Sequence, residues 1–350
     1  MIVTLTPNPA LDITYAVPTV TLGESHRVGS VTERAGGKGL NVAAVLATML
    51  ASTSNRTSTP TTTTPTETGT SPGAGVVAVA PVGALDRDLF AADLDARRVP
   101  HRLIESPCPT RRSVAVVESD GRATLLNEAG VGQSRRVWQL VTDEVERLAG
   151  SARVLTVSGS LPPGTDPDLV LRLTELAHAH DLLVVLDVSG EALARALPAH
   201  PDLVKPNRSE AAGVLHALAG TTDPAPAATA TLPTAEEAAY ALVGAGARAA
   251  VVSDGAAGLV LVHGELALRA RLPRPLTGNP TGAGDALTAA LAAGLDQAGQ
   301  LPDGAAPWEA LLRAGVAWSA AAVLQPVAGA LDPADADRLA PDVEIEEIRS

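Results

Sequence analysis

Cysteine occurs once, at Cys108, in a chain of 350 residues. An internal disulfide and a multi-cysteine zinc site are therefore excluded, and a buried, inert thiol is expected there. Aromatics are nearly as scarce: three Trp, two Tyr and one Phe. The core must be made of Leu, Val and Ala, and a base-stacking platform for single strands lacks its material. Positive charge is in deficit. The net charge of −13 argues against a nucleic-acid partner, which needs a basic face. No run reaches the ~18 continuous apolar residues of a membrane helix, so no membrane partner is expected. The opening MIVTLTP reads as a strand, not as a basic and apolar leader. A soluble, reducing, cytoplasmic setting is the expectation.

Lysine is the most informative shortage. Of 26 basic residues only Lys38 and Lys205 are lysines. Such a skew toward arginine suggests a coding bias that removes lysine wherever arginine serves. The two survivors lie inside GGKG and KPNRSE, segments that carry other marks of a site.

What is present is a chain that is 46% hydrophobic and long enough to hide roughly 75% of its unfolded surface. Short apolar runs alternate with helical patterns. Strands are expected near residues 2–6, 75–79, 153–157, 182–187, 202–205, 249–253 and 259–263. Helices are expected near 41–50, 86–97, 135–149, 167–180, 209–218 and 234–244. Continuous apolar strands separated by helices read as a parallel sheet covered on both faces. Two stretches break the rhythm: 13–20 with 27–34, and 113–117 with 123–127. They alternate apolar and polar residues around turns at Gly23 and at Asp120–Gly121, as half-buried antiparallel strands do. They suggest a small second sheet against the main body. The Thr/Ser/Pro-rich segment 52–75 is expected to be a disordered surface insertion, and 220–233 a shorter flexible loop. The tail EIEE, residues 344–347, reads as solvated charge, and His178 and His180 as surface residues.

The segment NPTGAGDALTAALAAGL, residues 279–295, carries the strongest chemical signal. A turn of small residues runs into a helix whose Leu287, Leu291 and Leu295 recur every fourth residue. The first helical turn leaves amides unpaired, and the helix dipole favours an anion there. Gly282, Ala283 and Gly284 would let a phosphate approach those amides. Asp285 in the same turn either caps the helix or acts as a general base toward a hydroxyl that attacks phosphorus. In ERAGGKGLN, glycines again precede a helix. This is neither a Walker A loop, because Gly39 follows Lys38, nor a GxGxxG fingerprint. Gly36, Gly37 and Lys38 could hold an anionic sugar, with Asn41 bonding a hydroxyl; a plain cap with a surface lysine is the competing reading.

Smaller pieces follow strand ends, where open α/β sheets bind ligands. SGSLPPG (158–164) is one of them. In KPNRSE, Asn207 and Glu210 could reach a hydrated Mg²⁺ near phosphates. SDGAAG could line a nucleotide with its backbone. Asp12 in NPALD could bind sugar hydroxyls, and Arg27, Arg111 and Arg112 could meet a phosphate. Taken singly, each of these is equally explained as turn, cap or surface charge.

In order, LTPNPALD, GGKGLN, SGSLPPG, KPNRSE and NPTGAGD resemble the ribokinase/PfkB-type carbohydrate kinase family. The likeness spans nearly the whole chain outside the two low-complexity segments. The NPALD opening, the lysine in GGKG, the Thr110–Arg111 pair and TLLNEAG are most similar to its 1-phosphofructokinase and tagatose-6-phosphate kinase branch. The resemblance implies one three-layer α/β/α ribokinase-like domain with a mostly parallel central sheet. It also implies a β-sheet lid from residues 10–35 and 109–128, through which such proteins often form a homodimer. By motif it implies Asp285 as base and Gly282, Ala283 and Gly284 as anion hole. Asp12, Arg27, Gly36, Gly37, Lys38, Asn41, Arg111 and Asn127 would face a sugar phosphate. Lys205, Asn207, Glu210, Gly284 and the run Ser253, Asp254, Gly255, Ala256, Ala257 and Gly258 would face ATP. Asn207 and Glu210 would meet Mg²⁺ through water.

Two departures stand out. Thr281 occupies a position before GAGD that is often valine, and Asp254 one that is often small or apolar. The implied reaction is phosphorylation of fructose 1-phosphate at its C6 hydroxyl. Tagatose-6-phosphate kinase, 6-phosphofructokinase and a catalytically idle sugar-phosphate sensor are the alternatives.

Overall fold

The structure is a computed structural model and describes residues 1–57, 75–120, 122–220 and 232–348. Its strands are β1 (Ile2–Leu5), β2 (Ala10–Val17), β3 (Ser30–Gly36), β4 (Val76–Gly83), β5 (His101–Ser106), β6 (Arg111–Glu118), β7 (Ala123–Asn127), β8 (Val154–Ser158), β9 (Leu183–Asp187), β10 (Leu203–Val204), β11 (Ala249–Ser253), β12 (Leu259–His263), β13 (Leu266–Arg271) and β14 (Glu344–Glu347). The helices are α1 (Lys38–Thr57), α2 (Arg87–Ala96), α3 (Arg135–Ala149), α4 (Leu169–Ala179), α5 (Gly190–Ala196), α6 (Arg208–Leu218), α7 (Ala235–Gly244), α8 (Ala283–Ala298), α9 (Ala305–Val323) and α10 (Pro333–Leu339).

Ten strands form one sheet in the order β14-β13-β12-β11-β10-β9-β8-β1-β4-β5. From β5 to β11 all neighbours are parallel; β11 to β14 are antiparallel. The central strands are buried along their whole length, as Val154–Ser158 shows, because helices cover both faces. One face packs Ile2, Val154 and Val185 against α1, α8 and α9. The other packs Val3, Leu155 and Val184 against α3, α4 and α7. Alternate residues of each strand thus feed opposite layers. The three-layer α/β/α architecture and its mostly parallel sheet are as expected.

The second sheet has the order β3-β2-β6-β7. Its β2–β3 and β6–β7 pairs are antiparallel, and β2 runs parallel to β6. It is the expected lid; its second hairpin lies where the alternating pattern put it, and its first runs over 10–17 and 30–36 rather than 13–20 and 27–34.

Several expectations need correction. The segment 52–75 does not leave the fold at residue 52: α1 continues through Thr57. Residues 58–74, Gly121 and 221–231 lie outside the described residues. The EIEE tail is not loose charge. It is strand β14, in which Ile345 packs against the core while Glu344 and Glu346 reach Arg271 and Arg269 at 3.4 and 3.2 Å. His178 is half-buried and sits 3.0 Å from buried Asp202. Cys108 is likewise half-buried, with Sγ 3.5 Å from the Gly132 carbonyl. Among the described residues no helix is long and apolar enough to cross a membrane.

Candidate active site

β1 sits where the chain order reverses, with β4 on one side and β8 on the other. In such sheets ligands bind beyond the strand C-termini at that reversal. The ends of β8, β9, β10 and β11 reach this edge, α1 and α8 begin there, and the lid stands above it. Between them lies a cavity of about 850 Å³, large enough for a nucleotide and a small sugar. Among the candidate residues, Asp12, Arg111 and Asn127 line it from the lid, and Gly37, Lys38 and Asn41 from the start of α1. Lys205, Asn207, Glu210, Ser253, Gly255, Ala256 and Gly258 line it from the sheet edge, and Gly282, Ala283, Gly284 and Asp285 from α8.

The small residues before α8 have a steric reason. Gly282 caps the helix at φ 88°, a left-handed conformation that favours glycine. A Cβ there would come 2.9 Å from Ala328 Cα. No side chain caps α8, so the capping reading of Asp285 is excluded. Among the described residues the N–H groups of Gly282, Gly284 and Asp285 have no partner, while the Ala283 N–H bonds the Pro280 carbonyl at 3.2 Å. Of the three expected anion-hole positions, Ala283 has its amide spent in the tight turn, and the Asp285 amide is open beside those of the two glycines.

Asp285 is buried, and its Oδ2 accepts a 2.9 Å bond from Asn41 Nδ2. Burial pushes its pKa up to about 6, the nearby Asp187 carboxylate adds to the rise, and Lys38, Asn41 and Lys205 oppose it. The sequence reading puts Asn41 on a sugar hydroxyl. Asn41 does line the cavity, and its amide nitrogen bonds the Asp285 carboxylate, because the first turns of α1 and α8 lie side by side.

Lys38 Nζ lies 3.1 Å from Asp187 Oδ1 and 3.0 Å from Glu210 Oε1. Burial alone would lower its pKa, but Asp187, Glu210 and Asp285 outweigh it and hold the ammonium above its ordinary range. Lys205, almost wholly buried, lies 3.4 Å from Asp187 Oδ2. Its Nζ would be 3.6 Å from a Cβ built on Gly284. A positive charge therefore stands beside the open amides of α8.

At the lid end, Asp12 lies over Gly36, where a Cβ would overlap its carboxylate. Burial raises the Asp12 pKa to about 6 against the pull of Arg111, Ser113, Arg34 and Arg97. Gly37 has φ 108°, and a Cβ on it would strike Thr6 at 2.8 Å. Arg111 spends Nε on the Asn8 carbonyl at 3.1 Å and Nη1 on that of Glu128 at 3.3 Å, so part of its fork remains for a ligand. Asn127 accepts from Ser113 Oγ at 2.7 Å. Arg112 turns away and pairs with Asp86 at 3.1 Å. Arg27 is not brought to the site. It is exposed in the β2–β3 connection, beyond the Ala16↔Ser30 end of the hairpin, whereas Asp12 pairs near the other end with Arg34.

At the sheet edge, Asn207 and Glu210 form a reciprocal capping box on α6, with both bonds at 2.9 Å. Among the described residues no group of three acids, His or Cys could hold a metal ion. Glu210 and Asn207 present hard oxygens that suit a hydrated Mg²⁺, and their present bonds fit contact through water rather than direct ligation. In the β11–β12 turn the backbone splits. Ser253, Gly255, Ala256 and Gly258 face the cavity, while Asp254 pairs with Arg208 at 3.1 Å and, with Ala257, lines a neighbouring hollow.

Sequence reasoning missed Asp187 and Thr288. Asp187 ends β9 and touches both lysines, and Thr288 Oγ1 lies 3.2 Å from its Oδ2. The only signal was a carboxylate closing an otherwise apolar strand, LVVLD.

Known proteins share the family and the fold of this chain. Among solved structures, the phosphofructokinase-2 of Escherichia coli in complex with potassium superposes with a TM-score of 0.79 at 25% identity, covering 97% of this chain and 98% of that one. A possible 1-phosphofructokinase of Thermotoga maritima gives 0.78 at 19% identity over 100% of both chains. The ribokinase of that organism gives 0.66 at 17%, over 97% and 98%; the latter two share the fold. The model for pfkB family carbohydrate kinases matches residues 6–335. The chain belongs to the pfkB family of carbohydrate kinases.

Proposed function

We propose that this kinase transfers the γ-phosphoryl group of ATP to the C6 hydroxyl of fructose 1-phosphate, giving fructose 1,6-bisphosphate and ADP. The observation that carries the reading is the Asp285 carboxylate, facing the cavity beside the open amides of Gly282 and Gly284. Asp285 accepts the hydroxyl proton as the sugar oxygen bonds to phosphorus and the bond to the ADP oxygen breaks. With a pKa of about 6 it is ionised at pH 7 yet basic enough to take a proton there effectively. The amides and Lys205 stabilise charge on the moving phosphoryl group, which is the main catalytic need in phosphoryl transfer. Asp12, Gly37 and Asn127 contact the sugar, Arg111 its phosphate, and the β11–β12 turn the nucleotide, while Lys38, held by Asp187 and Glu210, joins Lys205 on the phosphoryl side. Glu210 and Asn207 would meet, through water, a Mg²⁺ carried by the nucleotide, which would neutralise phosphate charge. The lid excludes water and so suppresses wasteful hydrolysis.

The likeness to phosphofructokinase-2 favours a second reading, fructose 6-phosphate as acceptor. A coupled ADP-release assay over fructose 1-phosphate, fructose 6-phosphate, tagatose 6-phosphate and unphosphorylated sugars decides. The highest kcat/KM is expected with fructose 1-phosphate. A higher value with either 6-phosphate overturns the choice, and no sugar-dependent release makes the protein a sensor. The same reading includes a cytoplasmic setting and a homodimer through the lid, supported by exposed Val31 and Leu126 on the lid face turned away from the cavity. A monomer at assay concentration in sedimentation would overturn the dimer.

A further inference from the structure

Asp187 is the least accessible charged group of the site, at 1% exposure. It lies on no flexible loop but at the last position of β9, in register with Ser158 of β8. Its oxygens are divided. Oδ1 takes Lys38 at 3.1 Å, and Oδ2 takes Lys205 at 3.4 Å and the Thr288 hydroxyl at 3.2 Å. Thr288 Oγ1 also lies 3.0 Å from the Gly284 carbonyl. One carboxylate therefore ties a central strand to both lysines and to the first turn of α8, one helical turn from Asp285.

The composition sharpens the point. A chain that uses arginine at 24 of its 26 basic positions keeps lysine at two, and both converge on this carboxylate. An ammonium is a compact point charge with freely turning donors, whereas a guanidinium is a planar fork. An ammonium can turn its donors toward the carboxylate and the ligand alike, which a planar fork does not.

We propose that Asp187 is the positioning residue of the phosphoryl-transfer site, holding Lys38 and Lys205 against the first turn of α8 so that their charges flank the moving phosphoryl group. It acts through the lysines and through Thr288. Its charge also reaches Asp285, whose pKa it helps to raise, so the same carboxylate orients the cations and keeps the base protonatable. The role in phosphoryl transfer deepens the kinase reading and rests on it; the lysine arrangement itself does not.

Asp187→Asn tests it, since the amide keeps the shape and loses the charge. With the sugar phosphate that the wild type uses, kcat should fall at least 100-fold while the sugar KM changes less than threefold. The acid limb of the kcat–pH profile should move down by about one unit, as expected when a neighbouring like charge is removed. A merely structural role would lower the folded fraction and leave that limb in place, which would overturn the proposal. A second readout needs no sugar. Lysine labelled at its ε-carbon gives two NMR resonances from this chain, assigned with Lys205→Arg. At pH 7 the Lys38 resonance should shift in Asp187→Asn, since the carboxylate that its ammonium meets at 3.1 Å has become an amide. If it does so while no sugar phosphate releases ADP, the kinase reading falls and the lysine hub stands; if it does not move, the hub falls. Should Asp187→Asn fail to fold, Thr288→Val carries the test: kcat falls at least threefold and Thr288→Ser restores it. Equal rates in Thr288→Val and the wild type would overturn the proposal.

Discussion

Replacing Asp285 with Asn should make the protein more stable and nearly inactive at once, and the stability gain should depend on pH in a defined direction. In the folded chain the Asp285 carboxyl has a pKa of about 6 against an ordinary 3.8, first because it is buried and then because Asp187 is near. A carboxyl that holds its proton more tightly when folded favours the folded state at low pH. That contribution is complete below about 3.8 and is lost as the pH climbs through about 6. Above it, the ionised form costs about 3 kcal/mol, because each tenfold change in proton affinity is worth about 1.4 kcal/mol. Asparagine carries no such charge and can still accept the Asn41 bond. The variant and the wild type should therefore match in urea midpoint near pH 3, below the unfolded value of 3.8. Near pH 8 the variant should be the more stable by about 3 kcal/mol, or about 4 °C in Tm for a chain of this length. Its kcat should drop by about 10²–10⁴-fold, the usual share of a general base, with sugar-phosphate binding near normal. Denaturation at the two pH values, with ADP release on the same samples, makes the measurement. An equal stability change at both pH values would refute the reasoning about burial, and retained turnover would refute the role as base.

Asn41→Leu removes the donor on Asp285 while filling similar space; a hydrogen bond to a charged group is worth about 1.5–3 kcal/mol, so the acid limb of kcat should rise by about 1–2 pH units, and an unmoved limb would count against the assignment. Gly36→Ala should force the Asp12 carboxylate out of place, raising the sugar-phosphate KM at least tenfold with the ATP KM within twofold; equal effects on both would argue against a sugar contact. Glu210→Gln should raise the Mg²⁺ concentration needed for half-maximal rate several-fold, read in the coupled assay, and a rate curve superposable on the wild type would remove Glu210 from the metal's surroundings. Its stability loss should stay below about 1 kcal/mol, since the residue is partly exposed and so is the lysine it meets.

The parallel sheet was legible because each central strand is a continuous apolar run, and the lid because its strands alternate. The Gly-rich turns before α1 and α8 were legible because the left-handed backbone at Gly37 and Gly282 is a local demand for glycine. The antiparallel edge was not. β14 reads as a charged tail, and only pairing with Arg269 and Arg271 reveals why its acids alternate with Ile345. The end of α1 was also obscure, since residues 52–57 share the composition of the segment that follows. Within the site, the residue types gathered around the cavity could be named from motifs, but their mutual bonds could not. Asp187 meets Lys38 across 149 positions and Thr288 across 101, and no periodicity or spacing encodes a contact that distant. Asn41 illustrates the same limit: its place at the start of α1 was evident, while its bond to a carboxylate 244 positions away was not.

The convergence of both lysines on one carboxylate has a consequence for covalent chemistry. Acylating reagents and reactive metabolites attack primary amines, and this molecule offers very few. Lys205 is enclosed at 3% exposure, Lys38 is held as an ammonium by two acids, and the Met1 amine is paired with Asp296 at 2.9 Å. The outer surface carries its positive charge as guanidinium, which such reagents leave alone. The enzyme should therefore pass through mild acylation almost unmarked, and any slow inactivation that does occur would report on Lys38.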